Sequence, residues 1–148
     1  MGPETQRSML INSTIFISEI LLAFMILSGS AVIGVNTGFY HFLPHIFMYF
    51  GIFVGLLTIS LSSLAIYVLL YRGRSFLKYF LIFFICFVVL QILFLIRLHF
   101  LTENFNVNDG EKAFTIVLDV NMILHLITSV VLVIHFYRKG STIEMVKL

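Results

Sequence analysis

Residues 76–101 read FLKYFLIFFICFVVLQILFLIRLHFL and carry no charge between Lys78 and Arg97. A helix rising about 1.5 Å per residue needs about 20 predominantly apolar residues to cross about 30 Å of hydrocarbon. This stretch meets that length. Outward from it, three more runs do the same: Ile11 to Val35, Ile46 to Tyr71 and Ala113 to Tyr137. Asn36-Thr37-Gly38 and Pro44 break the chain after the first run, Arg72-Gly73-Arg74-Ser75 after the second, and the polar Thr102 to Lys112 segment after the third.

Composition agrees with that reading. Of the 148 residues, 60% are hydrophobic and 11% charged, against about 45–50% and about 25% in an average soluble domain. Nine Lys and Arg with seven Asp and Glu cannot solvate the outside of such a body. The expectation is an all-α integral membrane protein, 1–148 forming one domain of four transmembrane helices. Short links make neighbouring helices antiparallel hairpins in a compact left-handed bundle.

The same numbers exclude several kinds of function. Net charge is +2 and the basic residues are scattered, so no patch exists for nucleic acid. Cys86 is the single cysteine, which rules out an internal disulfide, a C-x-x-C redox pair and a thiolate zinc cluster. No cofactor is expected. The first apolar run is too long for a signal peptide and reads as a membrane anchor.

Orientation follows from the basic residues. Arg72, Arg74 and Lys78 surround the second connection, and Arg138, Lys139 and Lys147 follow the last span. These belong on the cytoplasmic side, which places both termini there. The third connection carries Glu103, Asp109 and Glu111 and belongs outside. Tyr67, Tyr71, Tyr79 and Tyr137 then fall at the inner boundary, with Tyr40 and Tyr49 toward the outer one.

Helix packing has its own signal. Gly51, Gly55, Thr58, Ser62 and Ala65 alternate spacings of four and three, so these small side chains share one seam where a neighbouring backbone can approach. Ala23, Ser30 and Gly34 on the first helix are the expected matching stripe.

Polar residues inside a span cost free energy, about 2.5–3.5 kcal/mol for a charge at the helix centre on insertion scales, and call for partners or a role. Counted by depth, Arg97 and Asp119 lie at similar heights and are expected to pair. Gln91, Asn121 and His125 are expected to form a mid-membrane hydrogen-bond cluster, as structural glue or as a ligand or proton site. Glu19 lies level with Ser62 or Ser63, whose hydroxyls are its expected partners. His135 completes the set. His41 and His45 have the i, i+4 spacing of a metal-binding pair, but one such pair is too little for a multi-histidine oxygenase box.

The C-terminal sequence ends with Val146 and Leu148 in an apolar, any, apolar pattern. This is similar to a class II PDZ ligand, which adds as an edge strand to a cytoplasmic PDZ domain.

Taken together, inside termini, a short first exterior loop, a basic turn after the second helix and Gln91 within the third resemble tetraspan membrane proteins. Gln91 looks like the intramembrane Glu or Gln of tetraspanins. The tetraspanin Cys-Cys-Gly motif and large exterior loop are missing, as are the tryptophan and cysteines of claudins. MARVEL-type tetraspan proteins match the length. There is almost no extramembrane mass to bind soluble ligands, no catalytic constellation, and a lipid-facing surface rich in Phe, Leu and Ile that can dock another span. The expected function is therefore that of a non-enzymatic accessory or scaffold subunit packed against a larger membrane protein such as a channel, receptor, transporter or junction assembly, or against copies of itself, within membrane lipid. The alternatives are a small membrane enzyme or lipid- or cofactor-binding protein using Glu19, Asp119 and His125, and an oligomeric pore or carrier lined by Arg97, Asp119 and Gln91. With no retrieval signal visible, the expected location is the plasma membrane, with the endoplasmic reticulum next.

Overall fold

In hydrocarbon a backbone N–H or C=O finds no water, so a chain this apolar must satisfy its backbone within each segment. The structure, a computed structural model, describes residues 3–38, 45–71, 74–104 and 109–145, and all of them are helical. The helices are α1 (Pro3–Gly38), α2 (His45–Tyr71), α3 (Arg74–Asn104) and α4 (Asp109–Met145). Each contains a segment long and apolar enough to span a membrane: Ser8–Gly38, His45–Tyr71, Phe76–Phe100 and Lys112–Arg138. The chain is thus an all-helical, multi-pass membrane protein of tetraspan-like topology.

Contact between the helices does not simply follow chain order. α1 packs along both α2 and α4, α3 packs on α4, and α2 touches α3 only sparsely although the link between them is short. Where α2 and α3 do meet, Phe50 stacks on Phe94 with ring centroids 3.5 Å apart and Phe47 meets the same ring edge-on at 6.2 Å. Leu22, Met25 and Val32 of α1, Val54 of α2, Phe84 of α3 and Leu132 of α4 are wholly buried between the helices. Lipid tails are as apolar as these side chains, so close packing and interhelical hydrogen bonds hold the helices together rather than hydrophobic burial.

Gly51, Gly55 and Thr58 of α2 line the α1 contact. Gly51, Gly55, Thr58, Ser62 and Ala65 are all buried. A Cβ on Gly55 would lie 2.5 Å from Ile33 Cγ1 and 2.8 Å from the Gly29 carbonyl oxygen. One on Gly51 would lie 2.6 Å from the Phe114 ring and 2.9 Å from Asn36 Cγ.

On α1 the structure corrects the expected stripe. Ala23, Ser30 and Gly34 are exposed, and a Cβ on Gly34 would meet nothing within 4 Å. The face turned to α2 carries Gly29, Ile33 and Asn36 instead. At 3.6 residues per turn, Ala23, Ser30 and Gly34 lie about 100–140° around the helix from Gly29. Both faces of α1 offer small residues, and Gly29 alone lets the α2 backbone come close.

Candidate functional site, a polar cluster shared by all helices

Midway along the bundle, α1 contributes Ser28, α2 Thr58, α3 Gln91, and α4 Asn121 and His125. Thr58, Asn121 and His125 are fully buried, and Ser28 and Gln91 nearly so. Asn121 is the hub. Ser28 Oγ donates to Asn121 Oδ1 at 2.9 Å, and Asn121 Nδ2 donates to Thr58 Oγ1 at 3.3 Å and to Gln91 Oε1 at 3.1 Å. Gln91 Nε2 lies 2.5 Å from His125 Nδ1.

Every donor in this chain is determined by the one before it. Thr58 spends its only proton on the Val54 carbonyl at 2.8 Å, so its oxygen must accept from the Asn121 amide. The second Asn121 N–H then goes to Gln91 Oε1, which turns the Gln91 amide nitrogen toward His125. His125 Nδ1 must accept, and its ring proton sits on Nε2. That Nε2 is buried with no hydrogen-bond partner. The rings of Phe84 and Phe87, centroids at 5.3 and 5.2 Å, stand beside the imidazole. A proton passed along this chain would end at phenyl rings. The cluster ties the four helices together.

Gln91, Asn121 and His125 are therefore in one place, as their depths suggest. Ser28 and Thr58 complete the cluster; the small-residue seam marks Thr58 for packing and not for hydrogen bonding, and no pattern marks Ser28, since serine and threonine in a span usually bond their own helix. Ser62 and Ser63 do so here, donating to the Thr58 and Ile59 carbonyls at 2.7 and 2.9 Å. Neither is hydrogen-bonded to Glu19, which is half-buried on α1.

Two further buried polar contacts tie α1 to its neighbours. Thr14 Oγ1, which donates to the Ile11 carbonyl at 2.8 Å, lies 3.3 Å from His135 Nδ1 of α4. Near the far end of α1, Asn36 Nδ2 donates to the Met48 carbonyl of α2, and Asn36 Oδ1 is buried without a partner.

The expected Arg97–Asp119 pair is replaced by another. His99 Nε2 lies 3.2 and 3.1 Å from the two carboxyl oxygens of Asp119, while Arg97 is exposed. Residues two apart on a helix point about 200° apart, so an α3 that turns His99 toward α4 must turn Arg97 away. Beside this pair runs a groove of about 460 Å³ between α3 and α4.

The remaining expectations fall outside this geometry. His45 is exposed, whereas His41 and the PDZ-like Val146 and Leu148 lie outside the described residues. Among the described residues no three His, Cys, Asp or Glu side chains cluster as metal ligands. Compared with protein-family models, curated proteins and solved structures, the chain matches none, and its likeness to tetraspan proteins is one of topology, four helices of membrane-spanning length.

Proposed function

We propose that this protein is a non-enzymatic, multi-pass accessory or scaffold subunit that packs against a larger integral membrane protein. One observation carries the reading: polar side chains from all four helices meet in one buried cluster, with Asn121 joined to Ser28, Thr58 and Gln91. A pore needs its polar side chains along a wetted path, and an enzyme needs them at a substrate. Here they hold the bundle shut, and what remains for function is the outer surface. That surface includes the α1 face with Ala23, Ser30 and Gly34 exposed, where a foreign span can approach closely.

The finer arrangement belongs to the same proposal. The bundle is left-handed, as short links between spans favour, and antiparallel, supported for α1 and α4 by pairings whose numbers run in opposite directions, Thr14 with His135 and Ser28 with Asn121. The termini lie in the cytoplasm, supported by the basic residues after α2 and α4. The membrane proposed is the plasma membrane, ahead of the endoplasmic reticulum.

A photo-crosslinking amino acid at position 30 tests the reading in the native membrane. The expected product is an adduct of one discrete mass with a larger membrane protein, absent when the same residue is placed at Leu93 on the exposed side of α3. Adducts with lipid alone would overturn it.

A further inference from the structure

Glu19 is an acid set well inside a span. Its depth follows from Thr14, which lies 3.3 Å from His135 of α4, a residue just short of Arg138 at the end of the α4 span. Counting from Arg138 to His135 and from Thr14 on to Glu19 puts the carboxyl about 12 Å inside that end, where half the hydrocarbon is about 15 Å thick. Headgroups and water stop short of this depth, and lipid tails have no donor to offer a carboxyl.

The chain itself offers none either. Among the described residues no hydrogen bond or ion pair reaches Glu19, and the nearby hydroxyls of Ser62 and Ser63 donate to their own helix. Around α1, Glu19 falls within about 60° of Ala23, Ser30 and Gly34, which are exposed. The carboxyl thus borders the face that α2 and α4 leave open, with exposed Phe16 and Leu27 alongside.

Charge selects what covers this face. A lipid tail or a wholly apolar helix would fill the space and leave the acid unbonded, which is costly inside a span. A helix with a Lys or Arg at the same depth bonds the carboxylate and cancels two charges that are each unfavourable alone. A second copy of the chain is a poor source of that cation. Lys78 is on α3, and α1 packs on α2 and α4, so copies could pair Lys78 with Glu19 only head to tail, outside the two-fold symmetry that most oligomers use.

We propose that Glu19 is the recognition point for one transmembrane helix of the larger partner, a helix that lies along Ala23, Ser30 and Gly34 and carries a Lys or Arg at the depth of Glu19. The inference rests on the accessory reading and supplies the chemistry of the partner's contacting span.

The test repeats photo-crosslinking from position 30 of the full chain in native membranes, now with Glu19 variants. Glu19→Gln keeps the shape and removes the charge, and it should lower the yield of the adduct about tenfold, the worth of one charge-assisted hydrogen bond. Glu19→Lys should abolish the adduct, and replacing the Lys or Arg of the crosslinked span by Glu should restore it. Asp119→Asn, which alters an acid on another helix, should leave the yield unchanged. An adduct indifferent to Glu19→Gln, or a crosslinked span with no Lys or Arg opposite residue 19, would overturn this inference and leave the accessory reading in place. No protein adduct from any variant, or an adduct only with a second copy, would overturn both.

Discussion

Gly29 and Gly55 occupy the same crossing point from opposite sides. A Cβ on Gly29 would lie 2.9 Å from the Gly55 carbonyl oxygen, and one on Gly55 would lie 2.8 Å from the Gly29 carbonyl oxygen. The obstacle each would meet is backbone, which cannot swing aside. Gly55→Ala should therefore cost about 1–3 kcal/mol, the range for overpacked sites, and Gly55→Leu should part α1 from α2. Gly34→Leu, with nothing within 4 Å, should be silent in the isolated chain. Reversible unfolding in mixed micelles ranks the three, and a Gly34→Leu loss as large as that of Gly55→Ala would contradict this placement of the helices.

Asn121 holds three helices to its own through Ser28, Thr58 and Gln91. Interhelical hydrogen bonds in membranes average about 0.6 kcal/mol and reach about 1.7, so Asn121→Ala should cost about 2–4 kcal/mol. A double-mutant cycle with Gln91→Ala should return a coupling within the single-bond range. A coupling of zero would mean that Gln91 Oε1 does not accept from Asn121.

His125 provides a spectroscopic check on the direction of the donor chain. Nitrogen NMR of histidine-labelled protein should find the proton on Nε2 and an accepting Nδ1. Gln91→Leu removes the donor, and the ring should then populate the other tautomer. A protonated Nδ1 in the unaltered chain would reverse every bond from Gln91 back to Thr58.

These contacts also mark how far the sequence could be read. Span lengths were legible because depth is counted along the chain, and the same counting brought Gln91 level with His125. Which face of a helix points inward was not legible where both faces are apolar, since lipid leaves no amphipathic pattern to orient it. α1 shows this: Gly34 and Gly29 are equally plausible seam residues until α2 is in place. Arg97 and His99 are a second case, for depth alone cannot separate residues two apart that point to opposite sides. α2 kept its reading because its small residues, Gly51 through Ala65, hold one register over four turns.

Removing the His99 imidazole should matter more than removing the Arg97 guanidinium, despite the larger charge of the latter. Arg97 is exposed, and Arg97→Ala should stay within about 0.5 kcal/mol. His99→Ala strips Asp119 of its donor in a partly exposed site and should cost about 1 kcal/mol. The same micelle titration reads both, and equal losses would restore the arginine as the partner of Asp119.

The accessory reading stands or falls on company. Native mass spectrometry of the protein released from its own membrane in mild detergent should give a larger membrane protein bound at fixed stoichiometry. With Gly34→Leu that complex should be lost while the chain itself stays folded. A lone chain or a small homo-oligomer, unchanged by Gly34→Leu, would contradict the reading.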